Sequence, residues 1–590
     1  MRGLQEWIYQ LEEGNWVRPV KVILGMLALV ALAVTFDTRQ YRNFASEEAM
    51  NTAQIARNLA TGRGYTTQVL HPFDLYLLAA NGSHGLTTDL PEINHAPGYP
   101  AVLAGLMRVL PFQYKIADVN KLRFTRYEPE VIIAVFNQLL FLGSILLLFF
   151  LARRLFDPSV AWMSAIIFGG SELFWKFTIS GLPTHLVILI FLGLVWVLTG
   201  VEARTRDEVP PARGWFLGRC LLIGVLLGMG ALTQYSFGWL GVPILVYLIL
   251  FGGLHRVPMC LCFLAGFVIL LGPWVARNYV VSGTPFGSAG YSICELTMYF
   301  PEDFLERMIT PEAALRKTGA LDVGRKLLVH FRDIIEGDFW TFSGNWLSAF
   351  FLVGLLVPFR DVALSRLRFF VLGCLGVLLI VQPLARTHLT ADSPVMTSEN
   401  LLVWISPLVI VFGLGLFYVL LDQTRAGFFE FRSLVTGFFV LATTAPLWLN
   451  LLPPRTVTHA IVYPPYWPPI IKECSGWMKT NELMMSDIPA AVAWYGDRPC
   501  SCLTLNAQTE FMKLNEIKSV KAIYLTPRTL DKPFLTRLIK DPGWGSFVWN
   551  AFYTRQLPPN FPLRQVPEGF LPEQWFLSDS PRWEVKKSAP

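Results

Sequence analysis

Apolar runs of about twenty residues recur through most of this chain, separated by short turns that carry arginine. That pattern constrains the fold more than any other feature, because a helix needs roughly 20 mostly apolar residues to cross the hydrocarbon of a bilayer. Eleven stretches read as spans: 20–37, 131–152, 159–178, 182–201, 215–234, 237–254, 257–275, 340–358, 367–385, 400–421 and 433–452. The stretch 101–112 is too short to span and is expected to form a re-entrant or interfacial helix. The charge content agrees: 16% of the 590 residues are charged, where soluble proteins carry about 25%. The net charge of +6 includes no dense basic run, which argues against nucleic acid as a partner. The excess reads as membrane topology.

The N-terminus is polar and mixed in charge, and the apolar run 22–36 has no small-residue cleavage site after it. It is expected to be a first span and anchor, not a secretory signal. With residue 1 in the cytoplasm, the inner loops carry Arg153 and Arg154, then Arg204, Arg206 and Arg213, then Arg256, Arg360, Arg366, Arg425 and Arg432. The short outer turns 179–181 and 235–236 carry none. This is the positive-inside bias, and an odd number of spans puts the C-terminus outside. The expected organisation is a cytoplasmic segment, 1–19; a membrane domain, 20–452, with outer loops 38–130 and 276–339; and an extracytoplasmic domain, 453–590. All long polar segments then fall on one face, which is where function is expected.

The C-terminal segment reads as a small α/β domain. A polar helical stretch near 476–481 precedes an apolar run, 483–486. A helix is expected over 489–495, a strand at 502–505, a helix at 509–517, a strand at 520–526 and a helix at 530–539. Strands alternating with helices argue for a parallel sheet. After Pro542 the chain is rich in Pro, Trp and Phe without clear period. A disulfide from Cys474 to Cys500 or Cys502 is compatible with an oxidising compartment, as is a reduced trio.

The first outer loop carries the most chemistry. Its opening, Ser46 to Ala60, places apolar residues at 49, 53, 56 and 60. That spacing predicts a short amphipathic helix on the membrane surface, ended by Gly62-Arg63-Gly64. Glu47 and Glu48 stand at its start. They are either first-turn acids behind an N-capping Ser46 or a general base at the membrane boundary. Further on, Asn94-His95-Ala96-Pro97-Gly98-Tyr99-Pro100 forms a rigid turn, in which His95 is a candidate titrating or phosphate-binding group and Tyr99 a candidate substrate contact. Glu172 and Lys176 share a helix face at i, i+4, the spacing of an ion pair.

The acidic pair, the Ala-rich helix containing "AQIARNLATGRGY" and the "HAPGYP" turn resemble the polytopic C-type glycosyltransferases. The groups in view are the bacterial dolichyl-phosphate-mannose–protein mannosyltransferase-like proteins and the aminoarabinose transferases of lipid A, in glycosyltransferase family 39. Gly272-Pro273-Trp274-Val275-Ala276-Arg277-Asn278-Tyr279 is similar to their Pro-Trp-x-x-Arg-Asn element. The resemblance spans roughly 20–452. It implies a sugar donor on a polyprenyl phosphate, an acceptor hydroxyl, and chemistry at the outer face of the bacterial inner membrane. Glu47 and Glu48 match the family's acidic base pair, with Glu where the first acid is usually Asp. The lipid phosphate would fall to cations on the outer side: Arg57, Arg63, Lys176, Arg277, Arg386 and His388. Glu172 is the candidate second acid, and a divalent cation is a candidate cofactor. Gln234-Tyr235 and Ser398-Glu399-Asn400 stand where many relatives carry arginine. That departure favours a rival reading, a non-catalytic subunit of a larger membrane complex with the same fold. A transporter is a third reading, but repeated halves and helices broken near the midplane are not visible.

Overall fold

The structure is a computed structural model, and it describes residues 17–41, 43–82, 90–116, 126–337, 339, 346–356, 361–387, 396–423, 429–452, 467–530, 544–551, 556–570 and 574–583. Within them, eight helices are long and apolar enough to cross a membrane: Ile23–Gln40, Glu128–Leu155, Thr184–Arg204, Arg213–Thr233, Arg256–Ser282, Val362–Ala385, Leu401–Gln423 and Arg432–Leu451. The chain is a multi-pass membrane protein.

Two of the three remaining expected spans are shorter than their hydropathy suggested, each for a local reason. The stretch 159–178 is two helices, Pro158–Gly169 and Glu172–Ile179, with the break at Gly170-Ser171. The Trp175 indole N–H donates to the freed Gly169 carbonyl at 2.7 Å, which satisfies the broken helix end inside the protein. The stretch 237–254 begins as a tight 3-10 turn, Tyr235–Leu240, before the helix Gly241–Phe251. Of 340–358, the described part is the eight-residue helix Leu347–Gly354.

The first-loop helix forms where the periodicity placed it, Glu47–Ala60, and Gly62 follows it at φ +84°. Its environment differs from the expectation. Every residue from Ala49 to Asn58 is buried, so the helix lies inside protein and not on a membrane surface. It packs on the short helix Gly98–Val109 and on the turn Pro489–Gly496 of the C-terminal region. Ser46 occupies the N-cap position without a side-chain cap bond.

The C-terminal helix Thr509–Ile517 and strand Val520–Leu525 lie where the pattern put them, the apolar run 483–486 is a strand, and the strand expected at 502–505 lies earlier, at Cys500–Cys502. The preceding helix is Pro468–Gly476, earlier than expected. Numbering all strands in chain order gives β1 (Thr66–Thr67), β2 (Val69–Leu70), β3 (Leu90–Pro91), β4 (Leu483–Ser486), β5 (Cys500–Cys502), β6 (Val520–Leu525) and β7 (Trp575–Ser578). The main sheet runs β2-β5-β4-β6-β7, parallel except for the antiparallel edge pair β6–β7. Its other edge, β2, comes from the first outer loop, so loop and C-terminal region share one sheet. Cys474, Cys500 and Cys502 are all free thiols.

Candidate functional site

Ends of the membrane helices and the two long loops, 38–130 and 276–339, line a cavity of about 830 Å³. One part of its lining is apolar, with Trp239, Val242, Phe267, Leu271, Ile380 and Leu384. A smaller hollow of about 130 Å³ between Gly241–Phe251 and Val362–Ala385 shares Val242 and Val377 with it. Several of these side chains, Trp239, Val246, Leu250 and Ile380 among them, are exposed, as in a groove open to lipid. The rest of the lining is mixed, and its ionisable groups are the acids Glu48, Asp74, Glu295, Glu306 and Glu399 with His71 and His95. Among the described lining residues there is no lysine or arginine.

Glu48 is the member of the acidic pair that faces the cavity. The Ser398 hydroxyl donates to its Oε2 at 2.6 Å, and the Gln234 amide donates to the Ser398 carbonyl. Burial raises the Glu48 carboxyl, and the Ser398 bonds and the His95 charge oppose the shift. A carboxylate made more basic in this way is better suited to accept a proton near neutral pH. Glu47 points instead to the C-terminal region, where it pairs with Arg528.

His95 is fixed from both sides. Its ring Nδ1 lies 3.2 Å from Glu92, whose carboxylate also accepts the backbone N–H of Asn94 at 2.7 Å and of His95 at 2.8 Å. The hydroxyl of Tyr65 donates to the His95 carbonyl at 2.9 Å. Burial alone would raise Glu92, but His95 and these bonds hold it down to about 2. Burial alone would lower His95, and Glu92 instead raises it. The turn needs Gly98, because a Cβ there would sit 2.8 Å from the Leu232 carbonyl oxygen. Tyr99, next to it, is buried and bonds Asn137 at 3.1 Å, away from the cavity lining.

The expected cations go elsewhere. Arg57 donates to the carbonyls of Ala493 at 2.7 Å and Trp494 at 3.0 Å, and pairs with Asp497 at 3.0 Å. Arg63 approaches the same Asp497 at 3.9 Å. Arg277 donates to the Glu92 carbonyl and stacks over Trp274 at 4.9 Å and Tyr65 at 5.6 Å. It thereby braces the His95 turn from behind. Glu172 and Lys176 form the expected i, i+4 pair at 2.9 Å, outside the cavity. Arg386 lies 3.9 Å from Asp333. His388 falls outside the described residues.

The sequence reasoning missed His71, Asp74, Glu295 and Glu306 as lining residues. His71 precedes the helix Pro72–Ala80, and its ring lies 3.3 Å from Glu306. Burial would lower His71, but Glu306 and the Cys502 thiol raise it well above its ordinary value. Burial pushes Asp74 up to about 6, against the pull of His71. His71-Pro72-x-Asp74 at a helix start was a usable local signal. Glu295 and Glu306 had none, because their place depends on how the second loop folds back. Among the described residues no three His, Cys, Asp or Glu groups stand together to hold a metal ion. The donor set therefore offers a divalent cation no ready resident site.

Residues 123–276 match the dolichyl-phosphate-mannose-protein mannosyltransferase family. No curated protein matches the sequence. Among solved structures, ArnT from Cupriavidus metallidurans bound to undecaprenyl phosphate aligns with TM-score 0.55 at 11% identity, over 96% of this chain and 98% of that one. The apo ArnT aligns with TM-score 0.54 at the same identity, over 96% and 99%. The oligosaccharyltransferase AglB from Archaeoglobus fulgidus, with an inhibitory peptide and a dolichol-phosphate, aligns with TM-score 0.50 at 11% identity, over 88% and 71%. The chain has the C-type glycosyltransferase fold. Near-complete mutual coverage with ArnT means that the outer loops and the C-terminal sheet belong to that fold, as the membrane helices do.

Proposed function

We propose that this chain is a membrane glycosyltransferase that moves a sugar from a polyprenyl phosphate to an acceptor hydroxyl at the outer face of the bacterial inner membrane. In this reading the N-terminus is cytoplasmic and the C-terminus extracytoplasmic. The observation that carries it is one cavity with two characters: a basic-shifted carboxylate, Glu48, on its polar wall, and an apolar groove leaving its other side between the helices Gly241–Phe251 and Val362–Ala385. An isoprenoid tail fits the groove, and the phosphate and sugar fit the polar part. The bound lipids of the ArnT and AglB structures, undecaprenyl phosphate and dolichol-phosphate, are of this class.

Glu48 takes the proton of the acceptor hydroxyl as that oxygen bonds to the anomeric carbon. The anomeric carbon–phosphate oxygen bond breaks, and its electron pair leaves with the phosphate. His95, held in orientation by Glu92, presents positive charge to that phosphate. The test is transfer from a labelled polyprenyl-phosphate sugar by the purified protein in liposomes. Label transfer by the wild type supports the reading, and none across the common donors sinks it. The second reading, a non-catalytic subunit of this fold, draws support from the absence of lysine and arginine among the described lining residues. It predicts that the protein co-purifies with other membrane subunits and transfers nothing.

A further inference from the structure

We propose that Glu399, in its protonated form, is the group that donates to the leaving phosphate, opposite the base Glu48. This rests on the transferase reading and adds to it a second catalytic residue. When the bond to the anomeric carbon breaks, the phosphate gains a full negative charge. The described cavity wall offers no guanidinium or ammonium to receive it. Besides neutral hydroxyls and amides such as those of Tyr235, Ser288 and Asn94, its donors are two imidazoles, each engaged with a carboxylate, and any carboxyl that keeps its proton.

Glu399 is built to keep one. It lines the cavity one residue beyond Ser398, whose hydroxyl is bonded to Glu48, so the two acids flank the same space. The Thr387 N–H donates to both of its carboxyl oxygens at 3.1 Å, and the Thr387 hydroxyl donates to Oε1. Oε1 is thus the better satisfied oxygen, which leaves Oε2 to carry the proton. Among the described residues, the charged groups that face it are Glu48 from the first-loop helix, Glu295 from the second loop and Lys326 from the helix Ala320–Glu336. Lys326 is itself buried and held on the Ser292 carbonyl at 2.7 Å. Burial first, and the two neighbouring glutamates after it, push Glu399 up to about 7 against its Thr387 bonds. A carboxylic acid kept neutral by its site can donate a hydrogen bond that an ionised one cannot.

The proton balance closes. The acceptor's proton goes to Glu48, the carbon–phosphate oxygen bond breaks, and Glu399 gives its proton to the phosphate oxygen. The products are the glycosylated acceptor and a singly protonated polyprenyl phosphate. Transfer of the Glu48 proton to Glu399 then restores the starting state with no net gain or loss.

The test uses the full-length protein, with undecaprenyl phosphate as the binding probe and a labelled polyprenyl-phosphate sugar for turnover, from pH 5.5 to 8.5. Wild-type affinity for undecaprenyl phosphate should fall about tenfold as pH rises through about 7, the range in which Glu399 loses its proton. Glu399→Gln, whose amide donates at every pH, should flatten that fall. It should also cut kcat on the order of 10²-fold with KM little changed, since an amide holds the phosphate but supplies no proton. Glu399→Ala should bind weakly at every pH, and Glu399→Asp should regain part of the pH-dependent step, with size-exclusion profiles reporting that each variant is folded. Binding that stays unchanged in the Gln and Ala variants overturns the assignment, as does a wild type that does not bind the probe. A wild type that binds with the stated pH dependence but transfers nothing removes the transferase reading and keeps Glu399 as a phosphate donor. A wild type that transfers while the Glu399 variants match it removes Glu399 alone.

Discussion

The cavity and the seam between the first outer loop and the C-terminal region are built from the same short stretch of chain, and they treat charge in opposite ways. At the seam, charges are matched and closed. Arg57 spends its guanidinium on two carbonyls and Asp497, between the rings of Tyr114 and Trp494. Glu47 meets Arg528 there, and the second long loop closes on the same region, where Arg307 reaches the carbonyls of Leu503 and Thr504 and Glu510 accepts the Ile309 N–H. In the cavity, five acids and two histidines line space with no described arginine or lysine among them. A seam of this kind rigidifies two regions into one body. A cavity of this kind holds charge that a substrate has yet to complete. Two of the cations expected to bind phosphate, Arg57 and Arg63, went to the first task.

The sharpest way to break this comparison is the adjacent pair Glu47 and Glu48, one on each side of it. Glu48→Gln should lower transfer by about 10² to 10⁴, the usual cost of losing a general base, with the melting temperature nearly unchanged. Glu47→Gln should leave transfer within about tenfold and lower the melting temperature instead, because the ion pair with Arg528 is lost. Equal losses of activity in both variants would erase the distinction between cavity and seam.

Arg57→Ala tests the seam alone. It orphans two carbonyls at about 1–3 kcal/mol each and removes two ring contacts of about 0.5–1 kcal/mol. Asp497 is 41% exposed, so water takes over much of its share. A loss of about 4 kcal/mol in stability is expected, with early proteolysis within 453–590 and unchanged turnover per folded molecule. A large drop in turnover at full stability would return Arg57 to the phosphate.

How much of this the chain revealed beforehand follows the same division. Hydropathy sums over twenty residues, so the long helices were legible, as were Thr509–Ile517 and Val520–Leu525, whose patterns are local. β2 was not, because two residues whose partner lies at Cys500 carry no local signal. β7 was hidden in a Pro- and aromatic-rich tail that shows no period. The pair Glu47–Glu48 was found, but a helix turns 100° between them, and only the packing decides which one opens to the cavity. Arg57 lay off the apolar face of its helix and so read as available to ligand. Its other side is covered by a region more than four hundred residues later, at Ala493 and Trp494.

The smallest effect contrasts a cavity acid, Asp74, with Glu92, which holds the His95 turn behind the cavity, and it is read from stability against pH. Glu92 is held down to about 2 from an ordinary 4.5, so it favours the folded state above pH 4.5. That contribution is lost as pH falls toward 2. Asp74 is pushed up to about 6 from 3.8, the opposite sense. Below pH 3.8 it is protonated in both states and costs nothing. As pH rises to 6 the unfolded chain ionises first, and the folded state loses about 3 kcal/mol. The two limbs oppose each other and meet between about pH 4 and 5. In thermal unfolding, Asp74→Asn should therefore gain on the wild type from pH 4 to 6 and then hold its lead. Glu92→Gln should trail the wild type at pH 5 and close the gap as the pH falls toward 2. If Asp74→Asn tracks the wild type at every pH, the carboxyl is not held against its ionisation. Asp74 then belongs with the closed charges of the seam, not with the incomplete ones of the cavity.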